Sequence, residues 1–497
     1  MNAPIDLGLA STLSANPLAI DSGRIEQVAD GIAVCSGLTG AALNESVLIE
    51  GGGRGIVFQL DETSVSVGII DPGQALRDGA TVSATGAVLS MPVSDETLGR
   101  VLDSLGRPLD GGAPFPPLTE RPLFSPSPRI PEIASVTRSL LTGTSVIDAV
   151  IPIGRGQRQL ILGDRQTGKT QIAIDAILNQ RDSGVRCVYV SIGQKMSEVA
   201  IIEKTFRDAG AHAYTTIIAE SADSGLASQY LAPYAGMALA EVWRANGHDV
   251  LIVFDNLTKH ADAYRSLSLL MRRSPGREAY PGDIFYIHGS LLERAAQLRS
   301  ERGGGSITAL PIVQTYSDDM SAFIPTNIVS ITDGQIYLRP KLANAGQLPA
   351  VDLGLSVSRV GRDAQHPLVA ALSSGLSLLL ARYDDLAQFV GFDNALDDAS
   401  MKVVRDGEIL THLFRQNAGQ PLTLGETIVV LYAFQAGWFA QAGLHLVAAF
   451  KSMLILASRR AEYSEIPAAL AAATHIDDVI RARLDSLIHA AWDEMVA

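Results

Sequence analysis

Eight consecutive residues, Gly163-Asp164-Arg165-Gln166-Thr167-Gly168-Lys169-Thr170, carry the densest chemical signal in the chain. They fit the pattern G-x-x-x-x-G-K-[ST]. In such a loop the glycines let the backbone curl until its N–H groups converge on phosphate oxygens. Lys169 would reach the β- and γ-phosphates, and the Thr170 hydroxyl would bind Mg²⁺. A helix starting there adds the positive end of its dipole. The chain has seven lysines, so a chance match would arise about once in a hundred such chains.

Two further parts belong to the same chemistry. Val250-Leu251-Ile252-Val253-Phe254-Asp255 is an apolar run ending in a carboxylate. It predicts a buried strand that delivers an acid to the Mg²⁺ shell. Alone, such a run usually means a strand with an exposed Asp; downstream of a phosphate loop, the metal role is the better reading. Hydrolysis also needs a base or water-positioning carboxylate. The expected place is the end of the strand beside the phosphate-loop strand, taken here as Cys187 to Ile192. Gly193-Gln194-Lys195 follows, so the residue offered is Gln194. An amide orients water but takes no proton at neutral pH. The site is equipped to bind a nucleotide and poorly equipped to turn it over, although some GTPases do use Gln.

The elements that must position these residues follow from patterning. From about Ile133 to Arg362, apolar runs alternate with helical patterns. Gln159–Leu162 precedes Gln171–Gln180, Cys187–Val190 precedes Ser197–Ala209, and Val250–Phe254 precedes Thr258–Met271. This alternation predicts a mostly parallel sheet with crossover helices. Residues 21–92 are Gly-rich and β-branched, with short runs such as Val47-Leu48-Ile49 and Val65 to Ile70 between turn signals. They predict a small antiparallel barrel or sandwich. Eight prolines between Pro108 and Pro131 predict an extended connector draped over a neighbouring domain. After about His366 the pattern is helical to about Ala497, with a break and restart at Ser464-Glu465-Ile466-Pro467. The expected organisation is an extension (1–20), a β-barrel (21–92), a P-loop nucleotide-binding α/β domain (93–365) and an α-helical domain (366–497).

Composition excludes several classes. The 497 residues carry 39 Lys and Arg against 53 Asp and Glu, a net charge of -14. Such a chain is a poor ligand for nucleic acid or anionic lipid. Two cysteines, Cys35 and Cys187, make no disulfide framework and suit a reducing compartment. Met1 to Ile20 has no Lys or Arg, so no signal-peptide n-region is expected. Thr427 to Phe450 is uncharged and long enough to span a bilayer. Gln435, Gln441 and His445, with Gly437 and Gly443, instead predict two buried helices.

Longer words carry a family resemblance from about residue 20 onward. They are Pro152 to Arg158, Gly163 to Thr170, Ile192 to Lys195, Gln229 to Tyr234, Pro275 to Asp283, Pro325 to Asn327, Ser330 to Gln335 and Ser356 to Gly361. The chain resembles the α subunits of F-type (F1) ATP synthases. Gln194 separates α subunits from catalytic β subunits, which carry Glu there. The resemblance implies an α3β3 ring around a central γ shaft, on the cytoplasmic face of the bacterial plasma membrane. It implies a peripheral stalk, a membrane sector that translocates H⁺ or Na⁺, and no nucleic-acid partner. It implies that the chain binds MgATP without hydrolysing it, with Gln416 helping to hold the nucleotide. Arg359 would reach the neighbouring β site as an arginine finger, with Ser330 and Ser356 lining or supporting that interface.

Departures from the family pattern are local. Asp255-Asn256 stands for Asp-Asp, Leu348 for an Arg before Pro-Ala, and Ala418 for a second Gln. Gly289-Ser290 stands for Ser-Arg. The first 20 residues lack the charged amphipathic helix that docks the δ subunit, which weighs against a δ contact. A divergent second copy of the F-type ATPase, Na⁺-coupled, would carry such changes. Two competing readings remain on the same core. A type III secretion-like export ATPase wants Glu at position 194. An RNA translocase wants a basic, aromatic barrel, and residues 21–92 hold one aromatic, Phe58.

Overall fold

A computed structural model describes residues 21–115, 119–387 and 397–496. The expectations placed on residues 1–20 lie outside the described residues, as do Pro116, Pro117 and Ala497.

Six antiparallel strands open the fold: β1 (Ser22–Ala29), β2 (Ile32–Ser36), β3 (Glu45–Ile49), β4 (Gly53–Leu60), β5 (Val65–Asp71) and β6 (Thr81–Val88). They close in the order β1-β2-β5-β4-β3-β6. Closure removes the unpaired edges that a sandwich would leave. Ile25, Val47, Val57, Val67 and Val82 fill the interior. The apolar runs marked β2 to β5; β1 and β6 lacked such runs because polar residues alternate along them. The proline-rich connector pairs Thr119–Pro122 with Ser90–Val93. Phe124 then packs on Tyr234, ring centroids 4.6 Å apart.

The central sheet has eight strands: β7 (Val101–Leu102), β8 (Leu160–Gly163), β9 (Arg186–Gln194), β10 (Thr215–Ser221), β11 (Asp249–Asp255), β12 (Ser306–Gln314), β13 (Gly334–Leu338) and β14 (Val351–Ser358). Their order is β14-β13-β8-β12-β11-β9-β10-β7. All neighbours are parallel except β13 and β14. Helices cover both faces, so strands such as Leu251–Phe254 are buried throughout. Among the helices are α1 (Lys169–Leu178), α2 (Met196–Asp208), α3 (Leu226–Ala245) and α4 (Leu257–Leu270). One expectation is corrected here. The strand that ends in Gln194 does not lie beside β8, whose neighbours are β12 and β13. Crossovers place β9 beyond β11, an arrangement that local periodicity does not encode.

The C-terminal region is helical. The uncharged stretch forms three pieces rather than two: Leu424–Gln435, Trp438–Ala442 and the start of Val447–Ser458. Gly437 (φ 83) and Gly443 (φ 78) break it in left-handed backbone. Among the described residues no helix is long and apolar enough to cross a membrane. The final helical run also divides, into Glu465–Ala472 and Asp478–Val496. Asp477 starts the second piece, accepting from the Ile480 N–H at 2.8 Å.

Candidate nucleotide site

Strand β8 leads directly into the phosphate loop, and α1 begins at Lys169. The loop is curled by Gly163 (φ 153), Gln166 (φ 61) and Gly168 (φ 97). A Cβ on Gly163 would lie 2.4 Å from the Leu338 carbonyl, so only glycine lets β8 and β13 approach there. Asp164 braces the loop from below. Its carboxylate accepts from Thr315 Oγ1 (2.6 Å) and from the Asp318 N–H. Its carbonyl accepts from Thr167 Oγ1 and from Lys169 Nζ. Arg165 and Gln166 are exposed. Lys169 is buried, and burial lowers its pKa to about 8, against the opposing pull of Asp255 and Asp164.

The metal-type donors converge as well. Thr170 Oγ1 donates to Asp255 Oδ2 at 2.7 Å, although the two residues come from different elements. Tyr189 OH donates to the same oxygen at 2.6 Å. Tyr189 is two residues before Ser191, which is level with Asp255, so both face one side of the sheet. That alternation was the available signal for Tyr189. Burial, reinforced by the Asp255 charge, holds its pKa well above the ordinary value, so it acts as a donor. Gln194 Nε2 donates to the Asp255 carbonyl at 3.0 Å. Its adjacency is therefore to the acid-bearing strand. Asn256, where the family has Asp, caps α4: its Oδ1 accepts from the Lys259 N–H at 2.9 Å.

Beside the loop lies a cavity of about 220 Å³. Its walls are Thr144, Gln166 to Gly168, Gln171, Ile172, Asp175, Leu348-Pro349 and Gln416 to Ala418. Gln416 is fully engaged in building this wall. Its Oε1 accepts from the Ser145 N–H and hydroxyl, and its Nε2 donates to the Gly143 and Gln420 carbonyls. Asp175 accepts from Gln171 Nε2 and from the Gly419 N–H, both at 2.9 Å, and burial raises its pKa. Leu348, Pro349 and Ala418 present apolar surface on the remaining rim, beside the exposed amide of Asn417. Segments far apart in sequence meet here, so motif reading alone did not reveal Asp175 or Thr144.

Arg359 is placed elsewhere. Gly163 is level with Leu338, which is level with Val351; Ser358 is level with Gly334. Arg359 therefore leaves the sheet at the end opposite the phosphate loop, roughly 16 Å away at about 3.3 Å per residue. Its base is rigid. The Arg359 N–H donates to the Asp333 carbonyl (2.9 Å), and the Asp333 carboxylate pairs with Arg158 at 2.8 Å. The next turn is equally tight, since a Cβ on Gly361 would lie 1.6 Å from the Pro152 carbonyl. Its side chain is exposed and has no ion-pair partner among the described residues. Ser330 is exposed in the helix Phe323–Ile331, donating to the Asn327 carbonyl at 2.6 Å. Ser356 is buried, where its hydroxyl accepts from the Tyr337 N–H (2.9 Å) across an irregular stretch of the β13–β14 register.

The fold and this loop together define a RecA-like P-loop nucleotide-binding protein with an N-terminal barrel. Residues 143–358 match the family model "ATP synthase alpha/beta family, nucleotide-binding domain". Residues 365–491 match "ATP synthase alpha/beta chain, C terminal domain". The chain is 51% identical over 435 residues to "ATP synthase subunit alpha 1" of Listeria monocytogenes, covering 88% of this chain and 87% of that one. It is 44% identical over 481 residues to "ATP synthase subunit alpha" of Tolumonas auensis, covering 95% and 94%. It is 48% identical over 410 residues to the subunit of that name from Caldanaerobacter subterraneus, covering 82% and 81%. The chain belongs to the ATP synthase α/β family, on its F-type α-subunit branch.

Proposed function

We propose that this α subunit binds MgATP without consuming it and lends Arg359 to a catalytic site on a neighbouring β subunit. The observation that carries the reading is the opposition of two features on one sheet. The phosphate loop and Asp255 sit at one end, and the guanidinium of Arg359, unpaired among the described residues, sits at the other. An arginine so placed cannot serve its own loop, and a ring of alternating chains would put it against the next one. Thr170 and Asp255 offer hard oxygen donors of the kind Mg²⁺ takes beside substrate phosphates. The ion would offset phosphate charge there. Gln194 supplies an amide in place of a base. Leu348 and Ala418 would pack a base by contact, leaving Asn417 as the rim amide beside them, which favours looser base selectivity.

On this reading three copies of the chain alternate with three β subunits in an α3β3 ring around γ. The ring couples ATP synthesis or hydrolysis to H⁺ or Na⁺ flow through a membrane sector, from the cytoplasmic face of the bacterial plasma membrane. The test is MgATP binding and hydrolysis by the purified chain, measured side by side. Saturable binding with no turnover above background is the expected outcome. Steady hydrolysis by the lone chain would favour the export-ATPase reading.

A further inference from the structure

A second charged cleft lies away from the phosphate loop, between the connector and the end of α3. Its volume is about 610 Å³, and Arg121, Arg129, Arg244 and Arg302 line it with Glu132 and Glu241. Four guanidiniums against two carboxylates leave an excess of two positive charges, in a chain whose net charge is -14. Both carboxylates are already engaged. Glu241 is bidentate to Arg294, at 2.7 and 2.8 Å, and Glu132 pairs with Arg302 at 3.0 Å. Arg121 and Arg129 are exposed and form no ion pair among the described residues.

Arg244 is the independent sign of a ligand. It is 7% exposed, and its Nη1 donates to the Arg294 carbonyl at 2.5 Å. Glu241 is 3.9 Å from its Nη2. Its Nε–H is buried with no acceptor among the described residues. Its Nη2, unlike the sealed Nε, is not among the buried atoms and makes no hydrogen bond among the described residues, so an oxyanion entering the cleft would meet an unpartnered donor of an otherwise buried guanidinium. Burial, the largest influence, also holds its pKa below the ordinary arginine value.

We propose that this cleft binds a small phosphate-type polyanion, of which inorganic pyrophosphate is the simplest probe. Guanidinium forks match tetrahedral oxyanions with paired N–H donors. The walls present no aromatic face for a nucleobase, which points to the phosphates rather than to a nucleotide.

Pyrophosphate also suits the phosphate loop, so the test uses the full chain carrying Lys169→Gln. Titration calorimetry should show one saturable site, weakening with added salt as a screened ionic contact does. Adding Arg121→Gln and Arg129→Gln should weaken it tenfold or more without moving the unfolding midpoint, because both side chains are exposed. No saturable binding, or equal affinity with and without the two substitutions, would overturn the proposal.

Discussion

Replacing Arg359 with Ala should lower the multi-site ATP turnover of the assembled ring by about 10³–10⁵-fold, the range for arginine fingers supplied in trans. The ring itself should stay intact. The side chain is exposed and unpaired among the described residues, so its removal orphans nothing inside the chain. The anchoring contacts belong to the backbone N–H and to Asp333, which the substitution leaves alone. A guanidinium carried on an anchored backbone would offer charge where phosphoryl charge develops once the neighbouring site holds it in place. Arg359→Lys should recover only part of the rate, because a point charge lacks the planar fork. Steady-state hydrolysis by rings of verified size checks this. Near-normal turnover would exclude the finger role.

The second large effect is on binding by this chain. Lys169→Gln should weaken MgATP binding about 10- to 100-fold, since a charge-assisted hydrogen bond contributes about 1.5–3 kcal/mol. Much of the β-site turnover should survive, because that site has its own loop. The wild-type chain should also show a pH signature. Burial sets the Lys169 pKa at about 8, and phosphate oxygens favour the cation. Above pH 8, binding must therefore take up a proton, and affinity falls by up to tenfold per pH unit. The same shift favours the folded state as pH rises from about 8 toward the ordinary value of 10.5. In that window the unfolded chain holds the proton that the buried amine releases. Calorimetry at pH 7 and 9 on both chains measures it; an equal slope in Lys169→Gln would assign the titration to another group.

How much was legible depended on distance along the chain. The phosphate loop needs eight neighbouring residues, and its strand and helix lie directly on either side. Asp255 closes an apolar run of its own strand. Both were readable because their geometry is local. The position of Gln194 was misjudged because strand order in a parallel sheet is set by crossovers. Neighbouring runs in sequence, β8 and β9, are separated by β12 and β11. The cavity beside the loop joins residues near 144, 170, 348 and 417, so only family resemblance drew attention to Gln416, Leu348 and Ala418. Arg359 was named by its motif. Its opposition to the loop came from the antiparallel return of β14, which no local pattern carries.

On the proposed function, this chain holds ATP and does not spend it. The most direct measurement loads the assembled complex with ATP labelled on the γ-phosphate and chases with unlabelled MgATP through many turnovers. The chemical state of the label retained on this chain is then determined. The expected result is retained, intact ATP, with label lost only by slow exchange. Label released as inorganic phosphate from this chain's own site at the turnover rate would contradict it.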